Sequence, residues 1–237
     1  MTQPTLTPES TSQPIALITG ASRGLGAALA EALAAKQWHI VALARTTGAL
    51  EELDDRIKAL GGSATLVPVD VTNDNAMRQI CLSIHQRWGR VDLWAHTAVH
   101  VPPLSPAGHI AVKDWDKTLA TTLRTTGTLI PMIEPLLRAG QSPQALFFDD
   151  AAWHEDLGGT RKFFGAYGAA KAGQIALARA WAAETAPMQD KNAPHVVIDT
   201  PAAMPTATRA RFFPGEDRET LTPCAQEAAR IVAGLRL

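Results

Sequence analysis

Only two cysteines occur in 237 residues, and Cys81 and Cys224 lie far apart. That excludes a disulfide-dense scaffold and a cysteine metal site, and favours a reduced, cytoplasmic setting. The seven histidines form no HxxxH-type cluster, so no metal is assigned. No apolar run reaches the roughly 18 residues that span a bilayer, which argues against a membrane helix. Charge of one sign is missing too: the net charge is −1 and the pI is near 6.7. Neither a nucleic-acid groove nor a polybasic membrane surface fits that balance. There is no GxSxG elbow of the kind that presents a nucleophilic serine. The stretch Met1 to Pro14 is polar and lacks the basic start and apolar core of a secretory signal. Residues 1–13 are therefore expected to form a disordered tail, and residues 14–237 a single domain.

What is present is a chain that is 46% hydrophobic and 19% charged, ordinary for a globular protein. Short apolar runs alternate with helical patterns along its length. The strand candidates are Ile15 to Ile18, His39 to Ala44, Ala64 to Val69, Val91 to Ala95, Ala145 to Phe148 and Val196 to Asp199. Between them, helical spacing runs over Leu25 to Lys36, Leu50 to Leu60, Asn75 to Trp88, Trp115 to Leu137 and Tyr167 to Thr185. A last helix is expected over Pro223 to Leu235. Unbroken apolar strands alternating with helices predict a doubly wound parallel sheet with helices on both faces, an α/β Rossmann-like fold. Pro131 and Pro135 are expected to kink or terminate the fourth helix. The segment 201–223, rich in Pro, Thr and Arg, reads as a loop or lid over the open edge of the sheet.

The first strand runs directly into Thr19-Gly20-Ala21-Ser22-Arg23-Gly24-Leu25-Gly26 and then into a helix. Glycines there permit a tight turn and close approach of backbone to a pyrophosphate, and the helix start presents N–H donors. A structural turn between strand and helix is the plainer alternative. An NAD site usually carries an acid about 20 residues beyond the glycines. This chain has Ala44-Arg45-Thr46 at the end of its second strand, and no acid until Glu51. Arg45 with Arg23 can instead pair a 2′-phosphate, which makes NADP(H) the expected cofactor.

The single tyrosine of the chain stands in Tyr167-Gly168-Ala169-Ala170-Lys171. On a helix both side chains share one face, a turn apart. A nearby ammonium favours the phenolate, so Lys171 is expected to bring Tyr167 towards neutral pH as a general acid/base. Lys171 is also placed to bind ribose hydroxyls.

Taken in order, these segments resemble the short-chain dehydrogenase/reductase family from about Ile15 to Thr206. The turn matches its TGxxxGxG pattern, including Gly20, Ser22, Arg23, Leu25 and Gly26. Val69-Asp70-Val71 matches its third-strand signature, which implies an adenine contact from Asp70 beside Val71. Tyr167 and Lys171 match YxxxK, and Pro201-Ala202-Ala203-Met204-Pro205-Thr206 is similar to the PGxVxT segment that cradles the nicotinamide carboxamide, implicating Pro201, Met204 and Thr206. The resemblance implies hydride transfer between NADP(H) and a carbonyl or alcohol, with Tyr167 as proton donor.

The sequence departs from that family at the reacting end. Where the family has NNAG, this chain reads His96-Thr97-Ala98-Val99, with His96 and Ala98 left to contact the cofactor. The relay asparagine becomes Thr122, and the serine that donates to the substrate carbonyl becomes Asp150, a carboxylate that accepts but cannot donate when ionised. The stretch from Asp150 to Tyr167 is a few residues longer than usual, so His154 or Thr160 are further candidates to reach in. The aromatic residues Trp153, Phe163, Phe164, Phe212 and Phe213 are either pocket lining or plain core. The family's seventh strand is expected to be missing, which leaves a homodimer through the helices from Trp115 and Tyr167 as the expected assembly. Two functions remain open: an NADP(H)-dependent oxidoreductase acting on a small molecule, with Tyr167, Lys171, Asp150 and Thr122 in catalytic positions, or a catalytically impaired NADP(H)-binding regulatory or scaffold protein.

Overall fold

Six apolar runs too short for helices, each bounded by turn residues, lie side by side as parallel strands. They are β1 (Ile15–Thr19), β2 (His39–Ala44), β3 (Ser63–Pro68), β4 (Leu93–His96), β5 (Gln144–Phe148) and β6 (His195–Asp199), in the order β3-β2-β1-β4-β5-β6. The computed structural model describes residues 13–154, 159–186 and 192–236, so the tail expected over residues 1–13 lies almost wholly outside the described residues. Registers such as Ala16 opposite Leu93 and Thr19 opposite His96 bring the carboxyl ends of β1 and β4 level. The chain reverses its winding direction there, which opens a crevice at the strand ends. The sheet of the described residues ends at β6, with no seventh strand.

Both faces of the sheet are covered, which explains the unbroken apolar runs. Ala16 and Ile18 of β1 join one core with α1 (Gly24–Ala34), α2 (Thr47–Ala59) and α8 (Cys224–Ala233). Ile15 and Leu17 point the other way, into a core with α3 (Asp74–Trp88), α5 (Thr125–Arg138) and α6 (Gly165–Thr185). Alternation with period two therefore sends the four apolar residues of β1 into the two cores in turn, and all five residues are buried.

The fourth helical stretch departs from expectation. It begins at α4 (Val112–Thr118), widens into a π-helical turn over Leu119–Arg124, and continues as α5 through both prolines to Arg138. Gly127, Pro131 and Pro135 recur every four residues on the exposed side of the helix. The carbonyls that Pro131 and Pro135 leave unpaired, those of Gly127 and Pro131, therefore face water rather than the core, and the helix persists. The segment 201–223 is not all loop. It contains the short helix α7 (Ala207–Phe212), capped by Thr206, whose Oγ1 accepts from Arg209 N at 3.1 Å. Several of its residues between Pro201 and Arg211 line the crevice at the carboxyl ends of the strands. Buried Glu227 of α8 anchors its start by accepting from Ala202 N at 3.0 Å.

Close packing of the first turn fixes the crevice. Gly20 and Gly24 adopt φ of +80° and +57°, and the Thr97 hydroxyl donates to Thr19 O at 2.7 Å. A Cβ on Gly26 would sit 2.4 Å from Gly20 O and 2.5 Å from Thr97 Oγ1. Backbone cannot yield there, so Gly26→Ala should cost about 2 kcal/mol. Thermal unfolding followed by circular dichroism should show Tm lowered by about 4–8 °C. A Tm unchanged within one degree would contradict this packing.

Candidate active site

One cavity of about 470 Å³ opens at the carboxyl ends of the strands. Gly20, Ser22, Arg23, Leu25 and Gly26 from the first turn line it, as do Arg45 after β2 and Asp70 and Val71 after β3. Its floor includes His96 at the end of β4 and Ala98 just beyond it, and its far wall carries Asp150, Tyr167, Lys171, Pro201, Met204 and Thr206. Every cofactor position expected from the sequence thus meets in one space.

At the turn end, α1 starts with no side-chain cap, and Arg23 at its cap position is extended. Its first N–H groups are therefore unclaimed by a capping side chain, an anion site by construction. Arg23 and Arg45 line the same space, and neither forms an ion pair among the described residues. Asp70 is held in place by Thr72, whose N and Oγ1 donate to its Oδ1 at 3.0 and 2.8 Å. Burial pushes the Asp70 carboxyl up, but these bonds and the charges of Arg45 and Lys117 leave it below the usual range. This donor set, two unpaired guanidinium groups beside an uncapped helix start, fits a dinucleotide with an extra phosphate.

The reacting end is built from α6 and the turn after β5. Tyr167 is 2% exposed and donates from its hydroxyl to Asp150 Oδ2 at 2.8 Å. The other oxygen of Asp150 accepts from Ala152 N at 2.9 Å, capping the short 3₁₀ turn Ala151–Trp153. Burial first, then the charge and hydrogen bond of Asp150 and the charge of Asp149, push the Tyr167 phenol well above its usual value. The sequence led to the opposite expectation, a phenol lowered by Lys171. The correction is physical: a carboxylate in contact and a dry surround both disfavour a second negative charge.

Lys171 is 3% exposed, and its ammonium donates to Phe148 O and, at 2.7 Å, to Gln174 Oε1. Burial brings its pKa down to about 8, although Asp150 and Asp149 oppose the shift. Thr122 is not in the cavity wall. It is fully buried in the π-helical turn, with its Oγ1 accepting from His100 N at 3.3 Å, while its neighbour Thr121 lines the space. The Thr122 carbonyl accepts from Gln174 Nε2 at 3.2 Å, and Gln174 also donates to Thr126 Oγ1 at 3.0 Å. Gln174 was not singled out from sequence. Its signal was present, since Tyr167, Lys171 and Gln174 recur at i, i+4 and i+7 along one face of α6.

The other candidates for the missing serine lie elsewhere. His154 Nε2 is 3.2 Å from Asp149 Oδ2, and His154 bridges Thr160 in an antiparallel pair, with neither residue lining the cavity. Residues 155–158 between them lie outside the described residues. Asp149 also accepts from Asp150 N at 2.8 Å and from Trp153 Nε1 at 3.1 Å. Burial raises its carboxyl, but these donors and His154 bring it below the usual range. Trp153, Phe164, Phe212 and Phe213 pack with Tyr167 and Val101 as a small core rather than lining the cavity, and Phe163 is exposed. His96 is driven down to about 3, by burial and then by Lys171, and stays neutral. Its Nδ1 sits 2.7 Å from Thr19 Oγ1, and its Nε2 is a buried atom with no partner. Lys117, His100, Arg209 and Arg211 complete the rim. Arg209 is committed to Glu216, at 2.5 and 2.6 Å. Among the described residues no cluster of three metal-ligating side chains exists, and no helix is long and apolar enough to cross a membrane.

A strand order with its switch point at this cavity, and a tyrosine and lysine at its far wall, define a dinucleotide-binding α/β site. The family model described as short chain dehydrogenase matches residues 14–216, and the chain belongs to that family. A short-chain dehydrogenase/reductase of Hericium erinaceus, eriH, is 31% identical over 73% of this chain and 69% of its own length. D-threitol dehydrogenase of Mycolicibacterium smegmatis is 31% identical over 53% of this chain. The match spans 48% of that relative and 28% of a fatty acyl-CoA reductase of Acinetobacter baylyi, so the chain covers half or less of those two. In fold, a short chain dehydrogenase from Shigella flexneri superposes with a TM-score of 0.83 at 22% identity, over 95% of this chain and 88% of that one. A metagenomic short-chain oxidoreductase in complex with NADP gives a TM-score of 0.75 at 23% identity, over 94% and 90%.

The buried lysine makes stability depend on pH. Its folded pKa of about 8 lies below its unfolded value, so between about pH 8 and about pH 10 the unfolded chain holds a proton that the folded chain has lost. Stability contributed by Lys171 therefore rises with pH across that window, by about 3 kcal/mol. Tyr167, shifted upward, acts with the opposite sign and only above about pH 10. Urea unfolding of wild type and Lys171→Met across that window should show the rise in wild type and its loss in the variant. Parallel pH dependences would contradict the assignment.

Proposed function

We propose that the protein is an NADP(H)-dependent oxidoreductase that transfers hydride between the nicotinamide and a small carbonyl or alcohol substrate. The observation that carries this reading is the single cavity joining the uncapped α1 start and Arg23 and Arg45 to Tyr167 and Lys171. Bound there, the cofactor supplies or accepts the hydride. The turn glycines and α1 hold its pyrophosphate, Arg23 and Arg45 hold the 2′-phosphate, and Asp70 with Val71 borders the adenine. Lys171 has one of its three N–H donors left for a ribose hydroxyl. Pro201, Met204 and Thr206 border the nicotinamide end. Tyr167 exchanges a proton with the substrate oxygen, Asp150 stands at the substrate-orienting position, and Thr122 acts from behind through its carbonyl. Relatives and neighbours that are dehydrogenases, and one crystallised with NADP, support the reading.

Tyr167→Phe should lower NADP(H)-dependent turnover by about 10²- to 10⁴-fold, with NADPH affinity changed only a few-fold in a fluorescence titration. Unchanged turnover would remove Tyr167 from the chemistry. An NADP(H)-binding scaffold would instead bind the cofactor and turn over nothing on a carbonyl and alcohol panel.

The assembly we propose is a homodimer in a reduced, cytoplasmic compartment, in keeping with free Cys81 and Cys224. Its two-fold interface runs along α6 and the α4–α5 helix, where Val112 and Trp115 are 74% and 36% exposed. Size-exclusion chromatography with light scattering should give twice the chain mass, and a monomer or tetramer would contradict it.

A further inference from the structure

We propose that Asp150 is the proton acceptor of Tyr167, and that this pair sets the site for oxidising an alcohol with NADP⁺. The inference rests on the hydride-transfer reading and adds to it a direction and a catalytic role for Asp150.

The hydrogen bonds set the direction. Tyr167 spends its only proton on Asp150 Oδ2, at 2.8 Å. The lone pairs of its hydroxyl oxygen are then left to accept, and an alcohol O–H is a donor they can take. Asp150 accepts at both oxygens, from Tyr167 and from Ala152 N, so it serves as a carboxylate with no proton to offer a carbonyl. A carbonyl placed between Tyr167 and Asp150 would meet no donor at all.

The route through the lysine is closed on the far side. Lys171 Nζ ends on Phe148 O and Gln174 Oε1, and the Gln174 amide ends on Thr122 O and Thr126 Oγ1. All of these side chains are buried. An amide has a fixed donor end and a fixed acceptor end, so it passes no proton onward. Asp150, by contrast, lines the open cavity.

The charged groups facing the pair are Lys171 on α6, Asp149 beside Asp150, and Arg209 of α7. Lys171 has Asp150 and Asp149 as its countercharges, Asp149 disfavours charge on Tyr167, and Arg209 feels Asp150 but is already paired with Glu216.

The step balances as follows. The alcohol O–H bond breaks and its proton goes to Tyr167 Oη, while the tyrosine's own proton passes to the Asp150 carboxylate. The C–H bond breaks and its electron pair leaves as hydride to NADP⁺, which is reduced to NADPH. The substrate becomes a ketone or aldehyde, and Asp150 releases one proton to water in the cavity.

Because the chain has a single tyrosine, the pH-dependent tyrosinate absorbance reports Tyr167 alone, over a constant baseline from the tryptophans. In the full-length protein without substrate, Asp150→Asn should move that titration downward by a unit or more, a tenfold change or larger in the ionisation constant, and Asp150→Ser should move it the same way. With NADP⁺ and an alcohol panel, Asp150→Asn should lower kcat for oxidation by about 10²-fold or more, while NADP⁺ binding by calorimetry stays within a few-fold. Titrations of variant and wild type that coincide would overturn the pairing whatever the activity. A shifted titration with wild-type oxidation unaffected by Asp150→Asn would overturn the catalytic role. A shifted titration with no alcohol oxidised by any form would overturn that role together with the hydride-transfer reading.

Discussion

A buried ammonium with few partners governs the reacting end of this protein. Lys171 is almost sealed from water, and an isolated charge there would be prohibitively costly to hold. Its site is therefore built around satisfying it: the Phe148 carbonyl at the end of β5, the Gln174 amide one turn along α6, and two carboxylates, Asp149 and Asp150, near enough to counter desolvation. Those demands fix how α6 lies against β5, and hence where Tyr167 points. They also draw the α4–α5 helix into the arrangement, because Gln174 is held by Thr122 and Thr126. The π-helical turn at Leu119–Arg124 lies at that contact, where a widened turn frees the Thr122 carbonyl for Gln174.

The cofactor end obeys a different constraint, steric rather than electrostatic. Gly26 and Gly20 let the first turn pack within van der Waals reach of Thr97, and the Thr97 hydroxyl ties β1 to the segment after β4. This keeps the crevice narrow at the switch point of the sheet and leaves the start of α1 uncapped towards the cavity. The two ends are joined by neutral His96, whose buried ring bonds Thr19 on one side and lies within the field of Lys171 on the other.

Much of this was legible in the sequence because it is local. The strand runs of β1 and β2, the glycine turn, the two arginines and the YxxxK helix each carry their chemistry in a few consecutive residues, and the fold placed them all on one cavity. Other features depended on contacts made far along the chain. The direction of the Tyr167 shift turns on Asp150, seventeen positions away, and on burial that no local pattern encodes. Thr122 lies in the right turn of helix but behind the wall, and Gln174, which no motif marked, links its carbonyl to Lys171. The prolines of α5 failed to break it because four-residue spacing keeps Gly127, Pro131 and Pro135 towards water, a matter of which face is buried. His154 and the aromatic residues after Asp150 looked like site residues by position, yet they pair with Asp149 and with one another instead.

The central claim is that the cavity between the first turn and Tyr167 is an NADP(H) site. Calorimetric titration of the purified protein with NADPH and with NADH tests it most directly. Saturable binding of NADPH, with NADH at least tenfold weaker and the difference lost in Arg45→Ala, is the predicted result. Binding of neither dinucleotide, or equal binding of both, would contradict the account.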